Sequence, residues 1–483
     1  MSVLRRVVRN SVWAVLGEAT GGALLFLAFV LIARYLGTAR FGVFSYLLAV
    51  VGLCQVVADF GFSTILVRDM ARDKSKAADM FAAAAALVTA ISLPILIIVS
   101  LFAYWWAASQ EVLWACFIMG AAAALSYQNL VFAAACRAHE DMGFNAAGTV
   151  VQRLVLLVLA LGAIYLDAGM LGVALAYLAA NFSQALMLYA VVRTRYFPVR
   201  WQFAPNYWKH LFVDAVPVGT AILCRRSSLL SGALSLGMFA TPHAVGVFSA
   251  ATRIMQIVEL LPSTLSSPLL PPFSRLAAES DQMLFRTLSG AFRIFTVIGL
   301  PLLSWTMVLA PVIVAKTFGP QYAEAVPCLQ IMSLMIFLFF PTGLFRPAFI
   351  ALKRHRPYVA SAAICLAVTL IGNLALVPSL GAPGSAVAIV TGELAFFTSG
   401  YVMLRRLGFR LSLLHLFGKP VLASALASLV LFGTAHSDSL LVLIWHSILY
   451  GLAYVLLLIL LKVVRSDEIA VLRAGLRAKS HAY

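Results

Sequence analysis

Stretches of about twenty mostly apolar residues succeed one another along almost the whole of this chain. They lie near 11–33, 41–66, 80–104, 112–136, 144–166, 170–192, 214–238, 244–266, 291–313, 323–345, 357–378, 384–404, 415–434 and 440–463. An α-helix of that length crosses the hydrocarbon layer of a bilayer while satisfying its own backbone hydrogen bonds. The expected fold is therefore all-α, a polytopic membrane protein of about 14 transmembrane helices. Composition agrees: 63% of the residues are hydrophobic and 11% charged, where a water-soluble domain carries about a quarter charged residues.

The formal net charge of +17 does not signal nucleic acid, because the basic residues sit in short clusters between apolar runs. Of the 35 Lys and Arg residues, 28 fall in connections on one side, while Arg34, Arg40 and Lys316 fall on the other. Positively charged connections stay on the cytoplasmic face, so both termini are expected to be cytoplasmic and the protein to reside in the cell (inner) membrane. The first apolar run continues into Ala33-Arg34-Tyr35-Leu36-Gly37 without a cleavage site, so it reads as a retained helix and not a signal peptide.

The six cysteines (Cys54, Cys116, Cys136, Cys224, Cys328 and Cys365) form no CxxC pair, and all lie in or beside apolar stretches. They read as small buried hydrophobes, with neither a disulfide framework nor a metal site expected. No phosphate-binding lysine loop, HExxH or GxSxG is present. No cofactor is expected, and the chain reads as a transporter and not an enzyme.

Six helices followed by six more, the same way up, would place a repeat axis along the membrane normal. A short internal repeat supports this. Leu36-Gly37 with Gly42-Val43-Phe44-Ser45 is echoed by Leu236-Gly237 with Gly246-Val247-Phe248-Ser249. The division expected is a six-helix lobe over 1–192, a linker over 193–213, a second six-helix lobe over 214–410, and two extra helices with a tail over 411–483. The linker carries Trp201, Phe203, Tyr207, Trp208 and Phe212 among basic residues. It fits either an interfacial amphipathic segment or an ordinary wet loop.

Four arginines fall inside apolar stretches: Arg153, Arg225, Arg226 and Arg253. A charge at a membrane-helix centre costs about 2.5–3.5 kcal/mol on insertion scales, so such residues face a cavity or a partner. Arg225 and Arg226 lie roughly 16 Å into the seventh stretch at 1.5 Å per residue. As cavity residues the four are candidate substrate ligands, because guanidinium donates two parallel hydrogen bonds to phosphate. Buried salt bridges, or snorkelling from a shorter span, would account for the same pattern. Glu18, Asp59 and Glu259 are candidates for coupling to a proton or cation, and Asp59 is also placed to cap a helix or pair with Arg68. Gln128, Asn129, Asn181, Gln184, Gln256 and Asn373 are further polar residues in the spans.

Several segments resemble those of polysaccharide flippases. The first is Ala33-Arg34-Tyr35-Leu36-Gly37-Thr38-Ala39-Arg40-Phe41-Gly42-Val43-Phe44-Ser45, continued by Asp59-Phe60-Gly61-Phe62 and Val67-Arg68. The later ones are Val245-Gly246-Val247-Phe248-Ser249-Ala250-Ala251-Thr252-Arg253, Pro271-Pro272-Phe273-Ser274-Arg275-Leu276, Phe318-Gly319-Pro320-Gln321-Tyr322 and Gly381-Ala382-Pro383-Gly384-Ser385-Ala386. In order and spacing they resemble the Wzx-type O-antigen and exopolysaccharide exporters of the multidrug/oligosaccharidyl-lipid/polysaccharide (MOP) superfamily.

The resemblance implies two six-helix lobes in a V, flipping a polyprenyl-pyrophosphate-linked oligosaccharide between leaflets. The implied partners are that lipid-linked oligosaccharide, membrane lipids and a polysaccharide polymerase, with no nucleic acid. A cation-coupled multidrug exporter and a lipid II flippase of the same superfamily are the alternatives. An exporter of cationic drugs would keep acidic groups in its pocket, which fits the arginines poorly.

Overall fold

The computed structural model describes residues 3–106, 109–432 and 439–463. The tail expected over 464–483, with Arg465, Arg473, Arg477 and Lys479, lies outside the described residues, as does His436. The described helices are α1 (Val3–Asp59), α2 (Phe62–Arg72), α3 (Ala77–Trp106), α4 (Gln110–Ala138), α5 (Met142–Tyr165), α6 (Gly169–Arg195), α7 (Pro205–Phe239) and α8 (Pro242–Ser266). They continue with α9 (Leu270–Glu279), α10 (Asp281–Thr317), α11 (Ala325–Gly343), α12 (Phe345–Ala351), α13 (His355–Arg406), α14 (Leu413–Phe432) and α15 (Leu440–Leu460). No strand occurs among the described residues.

Ten helical segments among these are long and apolar enough to cross a membrane. α1 and α13 each cross twice, turning back at Gly37 (φ 72°) and Gly381 (φ 59°). Only glycine adopts such left-handed backbone without steric cost, which is why two apolar runs can fold back with almost no loop. α7 is left out of the ten by its polar content, including Arg225 and Arg226, and α14 by its shorter apolar core. With these two and the two turn-backs, the passes number fourteen, matching the apolar stretches. The outward surface is apolar: Ile98, Ile371, Leu429 and Ile459 are 64%, 66%, 64% and 67% exposed. Lipid is the solvent that tolerates such a face. This is a multi-pass membrane protein.

α1 and α3–α6 pack together as a first group, and α7, α8, α10, α11 and α13 as a second. α14 and α15 pack on α10, where Ser304 Oγ lies 2.6 Å from Ser424 Oγ and 2.7 Å from Tyr450 Oη. The connection expected over 193–213 is half helical, because α7 already starts at Pro205. It is clamped to the start of α3: in its extended part the Gln202 amide donates to the Ala82 carbonyl (3.2 Å), and from the first turn of α7 Trp208 Nε1 donates to the Ala83 carbonyl (2.8 Å).

The two groups meet chiefly through α1 on α8 and α7. On the side opposite the basic connections, the repeat motif meets itself. A Cβ on Gly42 would collide with the Pro242 carbonyl oxygen, and a Cβ on Gly246 with the Thr38 carbonyl oxygen. Each glycine thus lets the helix of one group touch the backbone of the other, and the contact is reciprocal. Around it, Arg34 Nε and Nη2 donate to the Thr317 (2.6 Å) and Lys316 (2.5 Å) carbonyls at the end of α10. Tyr322 Oη donates to the Ala33 carbonyl (2.9 Å), and His243 lies 2.8 Å from Thr38 Oγ1 and 3.0 Å from Glu324 Oε2. These contacts join the two groups on that side.

On the basic side α2 meets α7. Arg68 Nη2 bridges Asp69 (2.7 Å) and Asp214 (2.6 Å), His210 Nε2 lies 3.0 Å from Asp69 Oδ2, and the Phe62 and Phe212 rings pack edge to face at 4.8 Å.

Candidate functional site: an arginine-bearing cavity between the helix groups

Between these two contact zones lies a cavity of about 540 Å³ walled by α1, α4, α5, α6, α7 and α8. Arg137, Arg153 and Arg253 line it, and no Asp or Glu does among the described residues. The first group contributes a polar wall from α4, α5 and α6; the second contributes Leu229, Leu230, Ala233 and Phe248 together with Ser249, Thr252, Arg253 and Gln256.

Arg253 projects from α8 across the interface between the groups. Its Cζ lies 3.7 Å from the ring centroid of Phe29 on α1, a cation–π contact that holds the guanidinium over an apolar face. One terminal nitrogen, Nη1, donates to Gln256 Oε1 (3.0 Å), while the buried Nε has no hydrogen-bond partner. No carboxylate lies within ion-pair distance among the described residues. Arg153, on α5, rests against Gly21 of α1, where a Cβ would meet its Nη1 at 2.5 Å. Its electrostatic partner is Glu18, one turn nearer the basic side. Arg137, at the basic end of α4, feels the charge of Asp59. Two of the three cavity arginines therefore have an acidic neighbour and Arg253 has none.

The other expected site residues are placed elsewhere. Arg225 Nη1 pairs with Glu393 Oε2 of α13 at 2.7 Å, and its Cζ lies 4.3 Å over the Phe396 ring. Glu393 is 1% exposed and its second oxygen accepts from Thr342 Oγ1 (3.0 Å). Glu259 of α8 is within electrostatic reach of Arg225, Arg226 and Glu393. These four make a separate charged cluster inside the second group, and neither Arg225 nor Arg226 lines the cavity. Asp59 accepts from the Ser63 amide (3.0 Å) and Ser63 Oγ (3.1 Å), holding the start of α2.

Removing one partner of a buried ion pair strands the other charge, at about 3–5 kcal/mol. Arg225→Met or Glu393→Gln is expected to lower the melting temperature of the detergent-purified protein by several degrees. The double variant Arg225→Met/Glu393→Leu should recover most of that loss. Independent, additive losses would show that the pair is not a unit.

Arg137, Gln152 and Tyr177 are among the cavity residues that were not sequence candidates. Arg137 ends an apolar stretch and reads as an ordinary basic flank. Gln152 is adjacent to Arg153, which is the signal that could have found it. Tyr177 gives no sequence signal at all.

The chain matches the family model described as polysaccharide biosynthesis protein over residues 7–277. No curated protein matches it in sequence. Among solved structures it is similar to the lipid II flippase MurJ in an inward closed conformation, at 12% identity over 92% of this chain and 98% of that one, with a TM-score of 0.76. It is also similar to an inward-facing multidrug resistance MATE family transporter of the MOP superfamily (17% identity, 80% and 94% covered, TM-score 0.66). A MOP superfamily transporter from Pyrococcus furiosus Vc1 (DSM3638), with a binding pocket of reverse polarity, is similar at 20% identity (83% and 95% covered, TM-score 0.61). These likenesses show the MOP transporter fold. The match over more than half its length places the chain in the polysaccharide biosynthesis protein family.

Proposed function

We propose that this protein carries a polyprenyl-pyrophosphate-linked oligosaccharide across the cell membrane by alternating access, with the basic side cytoplasmic. The observation that carries the reading is the charge of the cavity: among the described residues it has three arginines, no acidic lining residue, and in Arg253 a guanidinium without a carboxylate partner. A buried cation of that kind calls for an anion, and pyrophosphate suits its fork of donors. Arg253 is the principal ligand, and Arg153 a second one tempered by Glu18. Arg225 and Arg226 lie off the cavity in this form and would reach substrate only after α7 has turned.

The lobes that rock are residues 1–192 and 214–410, with 411–483 an accessory to the second. The drive is an ion gradient acting through Glu18 or Glu259, or removal of product by a polysaccharide polymerase on the far side. An exporter of cationic drugs is disfavoured by the same cavity charge, because a cation would meet like charge with nothing to neutralise it. A lipid II flippase shares the pyrophosphate chemistry and is separated by the cellular test.

Deleting the gene is expected to cause lipid-linked repeat units to accumulate on the cytoplasmic leaflet, with loss of surface polysaccharide and continued growth. Arrested growth with accumulating lipid II would transfer the assignment to peptidoglycan. Unchanged surface glycan and unchanged lipid intermediates would end the flippase reading.

A further inference from the structure

Three cation–π contacts occur among the described residues, and only one of them joins the two helix groups. Arg195 of α6 lies over Phe144 of α5 (4.5 Å) and Arg225 of α7 over Phe396 of α13 (4.3 Å), each within its own group. Arg253 of α8 lies over Phe29 of α1, and at 3.7 Å from Cζ to ring centroid it makes the shortest of the three contacts. The charge comes from the second group, and the surface that steadies it comes from the first.

The ring is itself backed. α1 turns back at Gly37, which brings Phe44 of the returning stretch against Phe29, with ring centroids 6.4 Å apart and planes tilted by 49°. Phe44 is fully buried and Phe29 is 3% exposed, yet Phe29 forms part of the cavity wall. A guanidinium donates hydrogen bonds from its edge and none from its faces. A ring on one face therefore offsets part of the cost of withdrawing the charge from water and takes up no donor.

On the edge, Nε is buried without a partner and Nη1 donates to Gln256 Oε1 (3.0 Å). Nη1 keeps a second hydrogen, and Nη2 meets no protein acceptor among the described residues. The end that carries both terminal nitrogens is left for a ligand, and it is the end that can meet two phosphate oxygens in parallel. A carboxylate would fix the side chain equally well but cancel its charge. The ring fixes it and leaves the charge standing.

Resting on the flippase reading above, we propose that Phe29 is a positioning residue of the anion site: its ring holds the Arg253 guanidinium in the pose that takes up pyrophosphate. Without the ring the arginine searches its rotamers and must be ordered when the ligand arrives. Ordering one long side chain on binding lowers affinity by about two- to tenfold.

The test uses the full-length protein in lipid nanodiscs, with polyprenyl pyrophosphate as the probe. Phenylalanines bearing one, two or three ring fluorines replace Phe29. Fluorine draws electron density from the ring face and leaves its shape nearly unchanged, so the series weakens the contact without opening a cavity. Affinity is expected to fall stepwise along the series, by about two- to tenfold at the trifluorinated ring. Phe29→Leu, which removes the ring altogether, should lose at least as much. In an Arg253→Met background, titrated at higher probe concentration, the fluorine series is expected to be flat. Equal affinity along the series in the protein that keeps Arg253 would overturn the role given to Phe29 and leave the flippase reading standing. The same decline in the Arg253→Met background would overturn it too, because Phe29 would then act on the cavity and not through the arginine. Failure of the unmodified protein to bind polyprenyl pyrophosphate at all would bring down the flippase reading and this inference with it.

Discussion

Arg253→Ala is expected to reduce flipping of a polyprenyl-pyrophosphate-linked substrate in proteoliposomes by about a hundredfold or more, while the protein inserts and purifies normally. The size follows from the chemistry. Hydrogen bonds to a charged group contribute about 1.5–3 kcal/mol each, and two parallel ones lost together correspond to roughly two to four powers of ten. The folded state loses little, because Arg253 has no carboxylate to strand and its main contacts are the Phe29 ring and Gln256. Arg253→Lys keeps the charge without the fork and should recover only part of the rate. Arg225→Ala should behave differently. It leaves Glu393 buried and unpaired, so its export defect would come with a loss of thermal stability that Arg253→Ala lacks. Wild-type flipping by Arg253→Ala would remove the anion-holding role from the cavity's one guanidinium without an acidic neighbour.

The contrast between Arg253 and Arg225 also marks how far the sequence could be read. Both sit deep in apolar stretches, and depth alone says only that each needs a partner or a cavity. The difference lies in α13: Glu393 is 168 positions from Arg225 along the chain, and which helix supplies a counter-charge is decided by packing between distant elements. The number of passes was legible because lipid imposes a length and a continuous apolar character on each one. The turn-backs at Gly37 and Gly381 were legible as breaks between apolar runs, though not as kinks within continuous helices.

The polar wall of the cavity was half legible. Asn129, Asn181 and Gln184 stood out as polar residues in spans. Their order of donation, and the orphan Asn129 oxygen it leaves, depends on where the carbonyls of Tyr177 and Asn181 point. The repeated Gly-Val-Phe-Ser motif was visible as a repetition, and its meaning came only from the contact its two copies make with each other.

That contact leads to the second large effect. Gly42→Ala and Gly246→Ala are each expected to hold the protein open on the side away from the basic connections, and Gly246→Val more strongly. A Cβ at either position strikes a backbone carbonyl of the opposite helix, Pro242 in one case and Thr38 in the other. Backbone cannot swing aside as a leucine tip can, so the helices must separate, and the Arg34 and Tyr322 hydrogen bonds across the same seam stretch with them. Overpacking costs about 1–3 kcal/mol in an ordinary core, and losing the flanking hydrogen bonds adds about 1 kcal/mol apiece. A closed form disfavoured by about 3 kcal/mol loses more than a hundredfold in its ratio to the open form. Alternating access needs that form once per cycle, so transport should drop by a similar factor. A cysteine placed at Ser249, a cavity residue one turn from Gly246, should become reactive to a membrane-impermeant thiol reagent from that side in these variants. Gly162→Ala is the control, since nothing lies within 4 Å of a Cβ there, and it should transport normally. Transport at the wild-type rate by Gly246→Val, with Ser249→Cys still shielded, would mean that the seam is not what closes the far side.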